Sequence, residues 1–257
     1  MDENNLQSGN IRPKGIDYFN RGHWLTAVQE RVSLEARRRM FELWLSWRKR
    51  HRLPAQTILD IGATPDTERM DSNCFLQWFH AEGSAIHCYS PETITGLKAV
   101  YPFIRVIEAT DQDYPTTFPT WPVSAQTFCW STSSAVLEHV GSRGNQVAFI
   151  AEHARVARAF FLTTPSRAHW LEFHTKLPLL HWLPRGVYRK ALRVLRKPFW
   201  AEEKNLRLVT RAELLALTRE ALGEAGHNFQ YSVQTIWTLG MPSNLILLGH
   251  RLESHSR

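Results

Sequence analysis

Long hydrophobic runs are missing from this chain of 257 residues. No apolar stretch approaches the roughly 18 residues that a membrane-spanning helix requires, so we expect no spanning segment. The first ten residues are acidic and polar and lack the basic and apolar regions of a secretory signal, which predicts a cytoplasmic protein. Hydrophobic residues at 43% and charged residues at 21% are the ordinary balance of a globular domain and argue against wholesale disorder.

Cysteine is also scarce. The three cysteines, Cys74, Cys88 and Cys129, are too few for a disulfide framework. No two of them have the short spacing of a metal-binding pair. We interpret them as buried, reduced thiols.

Acidic residues are outnumbered, and the net charge is +7. Such an excess suits an anionic substrate, a membrane surface or nucleic acid. The basic residues concentrate in two segments, 23–50 and 166–205, where they alternate with tryptophan and other apolar residues. No recognisable reader of RNA or DNA is present, so nucleic acid is disfavoured as a partner. The two remaining alternatives are an anionic substrate and peripheral contact with a membrane.

The stretch 57–63 organises the rest of the chain. Ile58, Leu59 and Ile61 have the apolar and β-branched character of a parallel strand that is covered on both faces. Gly62 permits a tight turn at the carboxyl end of this strand, where open α/β sheets bind their ligands. The three-glycine fingerprint of pyrophosphate binding is absent after it, which disfavours a nicotinamide-dependent oxidoreductase.

Helix and strand patterns alternate along the sequence and predict an α/β fold. Segment 23–50 is an amphipathic helix or helix pair that packs on the sheet, with residence on an anionic membrane as the alternative. Thr210 and Glu213 form a capping box before the helix 211–222. Further helices are predicted at 71–79, 92–100 and 145–157. Further strands are predicted at 85–90, 103–109, 127–130, 159–165, 229–235 and 244–250.

The segment Ser133-Ser134-Ala135-Val136-Leu137-Glu138-His139-Val140 follows the predicted fourth strand. Together with Leu59-Asp60-Ile61-Gly62 it resembles the class I S-adenosylmethionine-dependent methyltransferases, in particular the small-molecule, methyltransferase type 11-like branch. The resemblance implies a doubly wound, mostly parallel sheet of seven strands, with the last two strands forming an antiparallel pair. It divides the chain into an N-terminal helical extension, 1–53, and a methyltransferase domain, 54–257, whose insertion 166–205 caps the substrate entrance.

The resemblance also implies S-adenosylmethionine as the cofactor and a set of residues that hold it. Asp60 would contact the ammonium group by a charge-assisted hydrogen bond, and Asp111 would contact the adenine amino group. Ser90 stands where the family usually has an acid for the ribose hydroxyls, and Cys129 replaces another acid that often opens the fourth strand. The implied cofactor-binding residues are Asp60, Gly62, Ala63, Thr64, Ser90, Asp111, Gln112, Ser133 and Ser134.

Methyl transfer to many acceptors also requires removal of a proton. His139, just past the fourth strand, is a candidate general base because its ordinary pKa suits neutral pH. Glu172 and His174 in the insertion are alternative bases. His169, His174 and His181 are too irregularly spaced to predict a metal site, and we expect none.

The sequence therefore predicts S-adenosylmethionine-dependent methyl transfer to an oxygen, nitrogen or carbon of a small molecule, with a sugar or a lipid-linked intermediate as the suggested class. The alternative is a protein that has kept the fold and become a non-catalytic binding or scaffold protein at a membrane surface. The single glycine of the turn, Ser90 and Cys129 would suit that alternative.

Overall fold

The computed structural model describes residues 25–69, 71–108 and 120–253. Asp111 and Gln112, the two residues predicted at the adenine, lie outside this part of the chain, as do residues 1–24. Among the described residues, no helix combines the length and the apolar character needed to cross a membrane.

Helices and strands alternate as predicted through most of the chain. The strands are β1 Thr57–Ile61, β2 Ala85–Tyr89, β3 Ile104–Ile107, β4 Phe128–Ser134, β5 Ala157–Pro165, β6 Phe229–Thr238 and β7 Met241–Arg251. The α-helices are α1 Leu25–Arg50, α2 Cys74–Ala81, α3 Arg143–Val156, α4 Arg185–Val194, α5 Pro198–Ala201 and α6 Arg211–Leu222.

The seven strands form one sheet in the order β3-β2-β1-β4-β5-β7-β6. Neighbouring strands are parallel except that β7 runs antiparallel to both β5 and β6. The predicted fold class and the antiparallel pair at the end of the sheet are therefore confirmed. The strand order reverses at β1, so the carboxyl ends of β1, β2 and β4 meet at the switch point where such sheets bind ligands.

Helix α1 packs on the sheet, as the sequence analysis predicts for segment 23–50. Trp44 is fully buried, and its ring makes edge contacts with Phe79 of α2 and Trp130 of β4 at centroid distances of 4.9 and 5.4 Å. Met40, one turn earlier, is also buried. The apolar face of α1 is thus used by the core of the protein.

Two predicted helices differ from the structure. Segment 92–100 forms only the short 3₁₀ turn Thr95–Ala99. Helix α2 begins at Cys74 instead of residue 71, because Asn73 has a left-handed backbone (φ 54°) and its side chain bonds the preceding loop. The predicted capping box at Thr210 and Glu213 is present with both of its hydrogen bonds.

The insertion, residues 166–205, folds into short helices, as predicted. It holds the 3₁₀ turn Leu180–Trp182 and helices α4 and α5. Its own small apolar core is formed by Tyr188, Leu192 and Ala201.

Candidate active site

A cavity of about 850 Å³ opens at the carboxyl ends of β1, β2 and β4. Its floor is formed by the loops that follow these strands, and residues of the insertion form part of its wall. Of the predicted site residues, the cavity is lined by Asp60, Gly62, Ala63, Thr64, Ser90, Ser134, His139 and His174.

Asp60, the last residue but one of β1, is buried at 8% exposure. Its carboxylate accepts a hydrogen bond of 2.9 Å from the Thr132 hydroxyl on the neighbouring strand β4. Burial raises the pKa of Asp60 to about 7, and the Thr132 bond opposes this rise only in part. A carboxylate that is costly to ionise in isolation is well suited to a cationic partner, which would supply the missing countercharge.

Gly62 forms the turn that follows Asp60. Its φ of 86° is in the left-handed region that favours glycine, and a Cβ there would lie 2.5 Å from a methyl group of Val136. The chain beyond Gly62 is held by a side chain instead of by further glycines. Asn73 accepts from the Thr64 N–H at 3.1 Å and donates to the carbonyls of Thr64 and Asp66. The loop is thus ordered although the sequence has only one of the expected glycines.

Two polar residues of the turn that follows β2, Ser90 and Glu92, lie at the cavity. Ser90 is buried, and its hydroxyl accepts a hydrogen bond of 3.2 Å from the Glu92 N–H. Glu92 also lines the cavity, and burial raises the pKa of its carboxyl group. The sequence analysis missed Glu92 because it placed the ribose-binding position at Ser90, two residues earlier. An acidic side chain is therefore present at the cavity after the second strand, two residues beyond Ser90.

The two serines at the end of β4 differ. Ser134 lines the cavity, and its hydroxyl accepts from Thr163 at 3.3 Å. Ser133 is buried and is not among the residues that line the cavity, and its hydroxyl has no hydrogen-bond partner in the described part of the chain. The prediction that both serines contact a cofactor is therefore supported by placement for Ser134 alone.

The segment after β4 is fixed by hydrogen bonds to helix α3 and to Arg207, which follows the insertion. The Gln146 side chain of α3 donates to the Leu137 carbonyl at 3.0 Å, and Asn145 donates to the Val140 carbonyl at 2.9 Å. The Arg207 N–H donates to the Glu138 carbonyl at 2.7 Å. These bonds hold the 3₁₀ turn Leu137–His139 rigidly at the cavity wall.

His139 and His174 meet although they lie on different elements. Their Nε2 atoms are 3.1 Å apart. The other ring nitrogen of His139 donates to the Asn205 carbonyl at 2.7 Å, because a carbonyl can only accept. Nδ1 of His174 is 2.7 Å from a carboxylate oxygen of Glu172 and donates to it. The three predicted catalytic residues therefore form one connected chain.

Glu172 and His174 belong to a tight turn of the insertion. The Glu172 carboxylate accepts from the backbone N–H groups of His174 and Thr175 at 2.9 and 2.6 Å. Burial opposes ionisation of Glu172, but the charge and hydrogen bonds of His174 prevail and lower the pKa of Glu172 to about 2. Burial likewise opposes the charge on His174, and Glu172 overcomes it and raises the pKa of His174. His139 differs, since burial and the neighbouring His174 lower its pKa to about 3.

Glu138 is a fourth member of this group that the sequence analysis did not single out. It is fully buried, and one carboxylate oxygen accepts from the Thr164 hydroxyl at 2.9 Å. The other oxygen, Oε1, has no hydrogen-bond partner among the described residues and lies 3.8 Å from Nε2 of His139. Burial raises the pKa of Glu138, and the charge of His174 counteracts this only in part. The sequence feature that could have identified Glu138 as a site residue was its position within the signature 133–140.

His169 and His181 do not join the pair. His181 is 2.8 Å from the His169 carbonyl, and the His169 ring contacts the Leu171 carbonyl at 3.0 Å. Both serve the internal structure of the insertion. The remaining charged and amide residues of the cavity, also missed by the sequence analysis, are Arg37, Asn73, Asn145, Glu203, Lys204 and Asn205.

No protein-family model matches the sequence, and no curated protein sequence matches it. Solved structures do match. A putative sarcosine dimethylglycine methyltransferase from Galdieria sulphuraria is 10% identical, with 84% of this chain and 86% of that chain covered and a TM-score of 0.50. A 1,6-didemethyltoxoflavin-N1-methyltransferase from Burkholderia thailandensis, solved with S-adenosylhomocysteine, is 14% identical over 88% and 81% of the two chains, with a TM-score of 0.49.

A third match is described as a putative Zn-dependent alcohol dehydrogenase from Rhodobacter sphaeroides; it is 11% identical over 77% of this chain and 85% of that chain, with a TM-score of 0.50. At such identities the similarity concerns the fold, and a fold does not choose an activity. The strand order places that fold: the chain has the seven-stranded, Rossmann-like α/β architecture of the class I S-adenosylmethionine-dependent methyltransferases.

Proposed function

We propose that this protein is an S-adenosylmethionine-dependent methyltransferase that acts on a small molecule. The observation that carries the proposal is the buried Asp60 carboxylate beside the Gly62 turn, in an 850 Å³ cavity that is also lined by His139 and His174, the two rings of the chain Glu172–His174–His139. Asp60 suits a cation-bearing cofactor, and the two rings suit a polar acceptor.

The residues present fit this cofactor. Asp60 would bind its ammonium group, and Gly62, where the φ of 86° and the contact with Val136 exclude a Cβ, lines the cavity two residues further along. Glu92, with Ser90 beside it, offers the carboxylate that two ribose hydroxyls require. When bound, S-adenosylmethionine supplies a methyl group on a positively charged sulfur.

His139 and His174 line the same cavity and would receive the acceptor. Hydrogen bonds to Asn205 and Glu172 hold the two rings in fixed orientations, so the acceptor can be positioned without reordering them. We keep His139, Glu172 and His174 as the proposed residues for the acceptor and its proton; because the pKa of His139 is lowered to about 3 and that of His174 is raised, His174 is the stronger base of the two rings. Because the two imidazoles and the carboxylate are polar, we expect the acceptor group to be a hydroxyl or an amine of a small molecule.

Calorimetric titration with S-adenosylmethionine and S-adenosylhomocysteine tests the proposal. Wild-type protein should bind both with a Kd in the micromolar range, and Asp60→Asn should weaken binding by about tenfold or more. Glu224→Gln, which alters an exposed carboxylate, is the matched control and should bind as the wild type does. Absence of binding at millimolar ligand would contradict the proposal and favour the non-catalytic scaffold.

A second candidate concerns where the acceptor is held. The outer surface of the insertion exposes Trp182, Val187, Val194 and Leu195 at 48%, 50%, 82% and 48%. These side chains lie on or beside the basic helix α4. We propose that this surface contacts an anionic membrane when the acceptor is a lipid-linked molecule, because apolar and basic side chains together favour such an interface.

Co-sedimentation with vesicles tests this second candidate. Vesicles with anionic lipid should retain the wild type, and the double substitution Val194→Glu and Leu195→Glu should abolish retention. Leu239→Glu, at an equally exposed apolar residue of the β6–β7 turn, is the control and should leave it unchanged. Equal retention of all three proteins, or of none, would remove the membrane candidate.

A further inference from the structure

Three ligand atoms converge at the cavity end of β4: Glu138 Oε1, His139 Nε2 and His174 Nε2. They all lie within 4.8 Å of one another. The two nitrogens are 3.1 Å apart, and Glu138 Oε1 is 3.8 Å from the nearer one. Ligands of one first-row metal ion at about 2.1 Å are separated by roughly 3 Å, so these distances are close to those of a shared ion. We call these three residues the Glu–His–His cluster.

The outer partners of the two rings are those that metal-binding histidines use. His139 donates its Nδ1–H to the Asn205 carbonyl, and His174 donates its Nδ1–H to the Glu172 carboxylate. Such bonds fix the tautomer in which Nε2 faces the metal and increase the basicity of that nitrogen. Glu172 is itself held by two backbone N–H groups, so the arrangement extends one layer further.

A proton alone does not satisfy this cluster. With both Nδ1 atoms donating outward, the facing Nε2 atoms need one positive species between them, which is either a shared proton or a cation. A shared proton would serve the two nitrogens and leave Glu138 Oε1, fully buried and 3.8 Å from His139 Nε2, without a hydrogen-bond partner among the described residues. A divalent cation would serve all three atoms at once and compensate the buried carboxylate.

We propose that Glu138, His139 and His174 bind a divalent first-row transition-metal ion, of which Zn²⁺ is the best match. Two imidazoles and one carboxylate are a ligand set of catalytic zinc sites, which keep one position open. That position faces the cavity, since both histidines line it. The role of the ion rests on the proposed function. In a methyltransferase, the ion would bind and orient an oxygen atom of the acceptor. The proposed acceptors are then hydroxyl compounds. The sequence analysis expects no metal, and this proposal replaces that expectation.

Metal binding is measured on the full chain after treatment with a chelator and addition of Zn²⁺. Elemental analysis of the desalted wild type should give about one zinc per chain, and Co²⁺ in its place should give the visible absorption of a four- or five-coordinate ion. Glu138→Gln and His139→Gln should each remove stoichiometric binding. Glu172→Gln, which alters an outer partner, should weaken binding by about 10- to 100-fold. His227→Ala removes an exposed imidazole elsewhere and should bind as the wild type does.

Titration of the same samples with S-adenosylhomocysteine, together with their thermal melts, separates misfolding from loss of ligands. A variant that melts as the wild type does and has lost zinc supports the site. Substoichiometric zinc in the wild type, or equal zinc in the wild type and a folded Glu138→Gln variant, would overturn it. Zinc binding without S-adenosylhomocysteine binding would support the metal site and refute the proposed function. S-adenosylhomocysteine binding without zinc binding would support the proposed function and refute the metal site.

Discussion

At the scale of single residues, the ionisation of Asp60 should govern cofactor affinity. The folded pKa of about 7 lies above the ordinary value of 3.8, so the carboxyl group is largely neutral below pH 7. Binding of an ammonium group requires the ionised form, and a proton must then leave. We expect the affinity for S-adenosylhomocysteine to fall about tenfold for each pH unit below about 7 and to level off above it.

Calorimetry at about pH 5.5, 6.5 and 7.5 measures this dependence. Asp60→Asn should bind weakly at every pH, with a nearly flat profile, because the titrating group is gone. A wild-type profile that is as flat as that of Asp60→Asn and has the same affinity would show that Asp60 does not contact the ligand.

Glu92 is the second residue at which the structure changes the expected site. If it holds the ribose hydroxyls, Glu92→Gln should weaken S-adenosylhomocysteine binding by about tenfold, because it replaces a charged acceptor by a neutral one. Ser90→Ala should cost less than about threefold, since the Ser90 hydroxyl already serves the Glu92 N–H. The titration would contradict this assignment if Ser90→Ala were the more damaging of the two.

At the scale of elements, the turn between β1 and α2 depends on Gly62 and Val136. Gly62→Ala would place a Cβ 2.5 Å from a Val136 methyl group at a φ of 86°. We expect a loss of about 2–4 kcal/mol in the free energy of unfolding, from overpacking and from the left-handed backbone. Adding Val136→Ala should recover the steric part only, which a double-mutant cycle in denaturant would quantify. No recovery would mean that the backbone conformation alone sets the cost.

The same turn shows where sequence patterns were sufficient and where they were not. The apolar run of β1 and Gly62 predicted the strand and the turn. The single glycine of the turn suited the non-catalytic alternative, yet Asn73 holds the loop by three hydrogen bonds, two to Thr64 nine residues away and one to Asp66 seven residues away. Hydrogen bonds from a single side chain to a loop produce no hydrophobic periodicity in the sequence. The stabilisation of this loop by Asn73 is therefore visible only in the structure.

At the scale of the whole molecule, α1 is part of the core. Trp44 fills the space between α1, α2 and β4, so Trp44→Ala should lower the free energy of unfolding by about 3–5 kcal/mol. Val32→Ala on the same helix alters a side chain that is 39% exposed and should change it by less than about 0.5 kcal/mol. Urea denaturation of both variants tests this; similar midpoints would mean that α1 packs on the sheet only loosely.

The sequence by itself determined the fold class, the capping box at Thr210 and the end of β1 as an edge of the cavity, because these depend on local periodicity and on residues that are close in the chain. The tertiary structure alone decided that His139 meets His174 across 35 positions. It also placed Glu92 at the cavity near Ser90 and left Glu138 Oε1 buried beside two imidazoles. The contacts of His174 with His139 and Glu138 form when the insertion folds back over the sheet, and no spacing within a single segment encodes them.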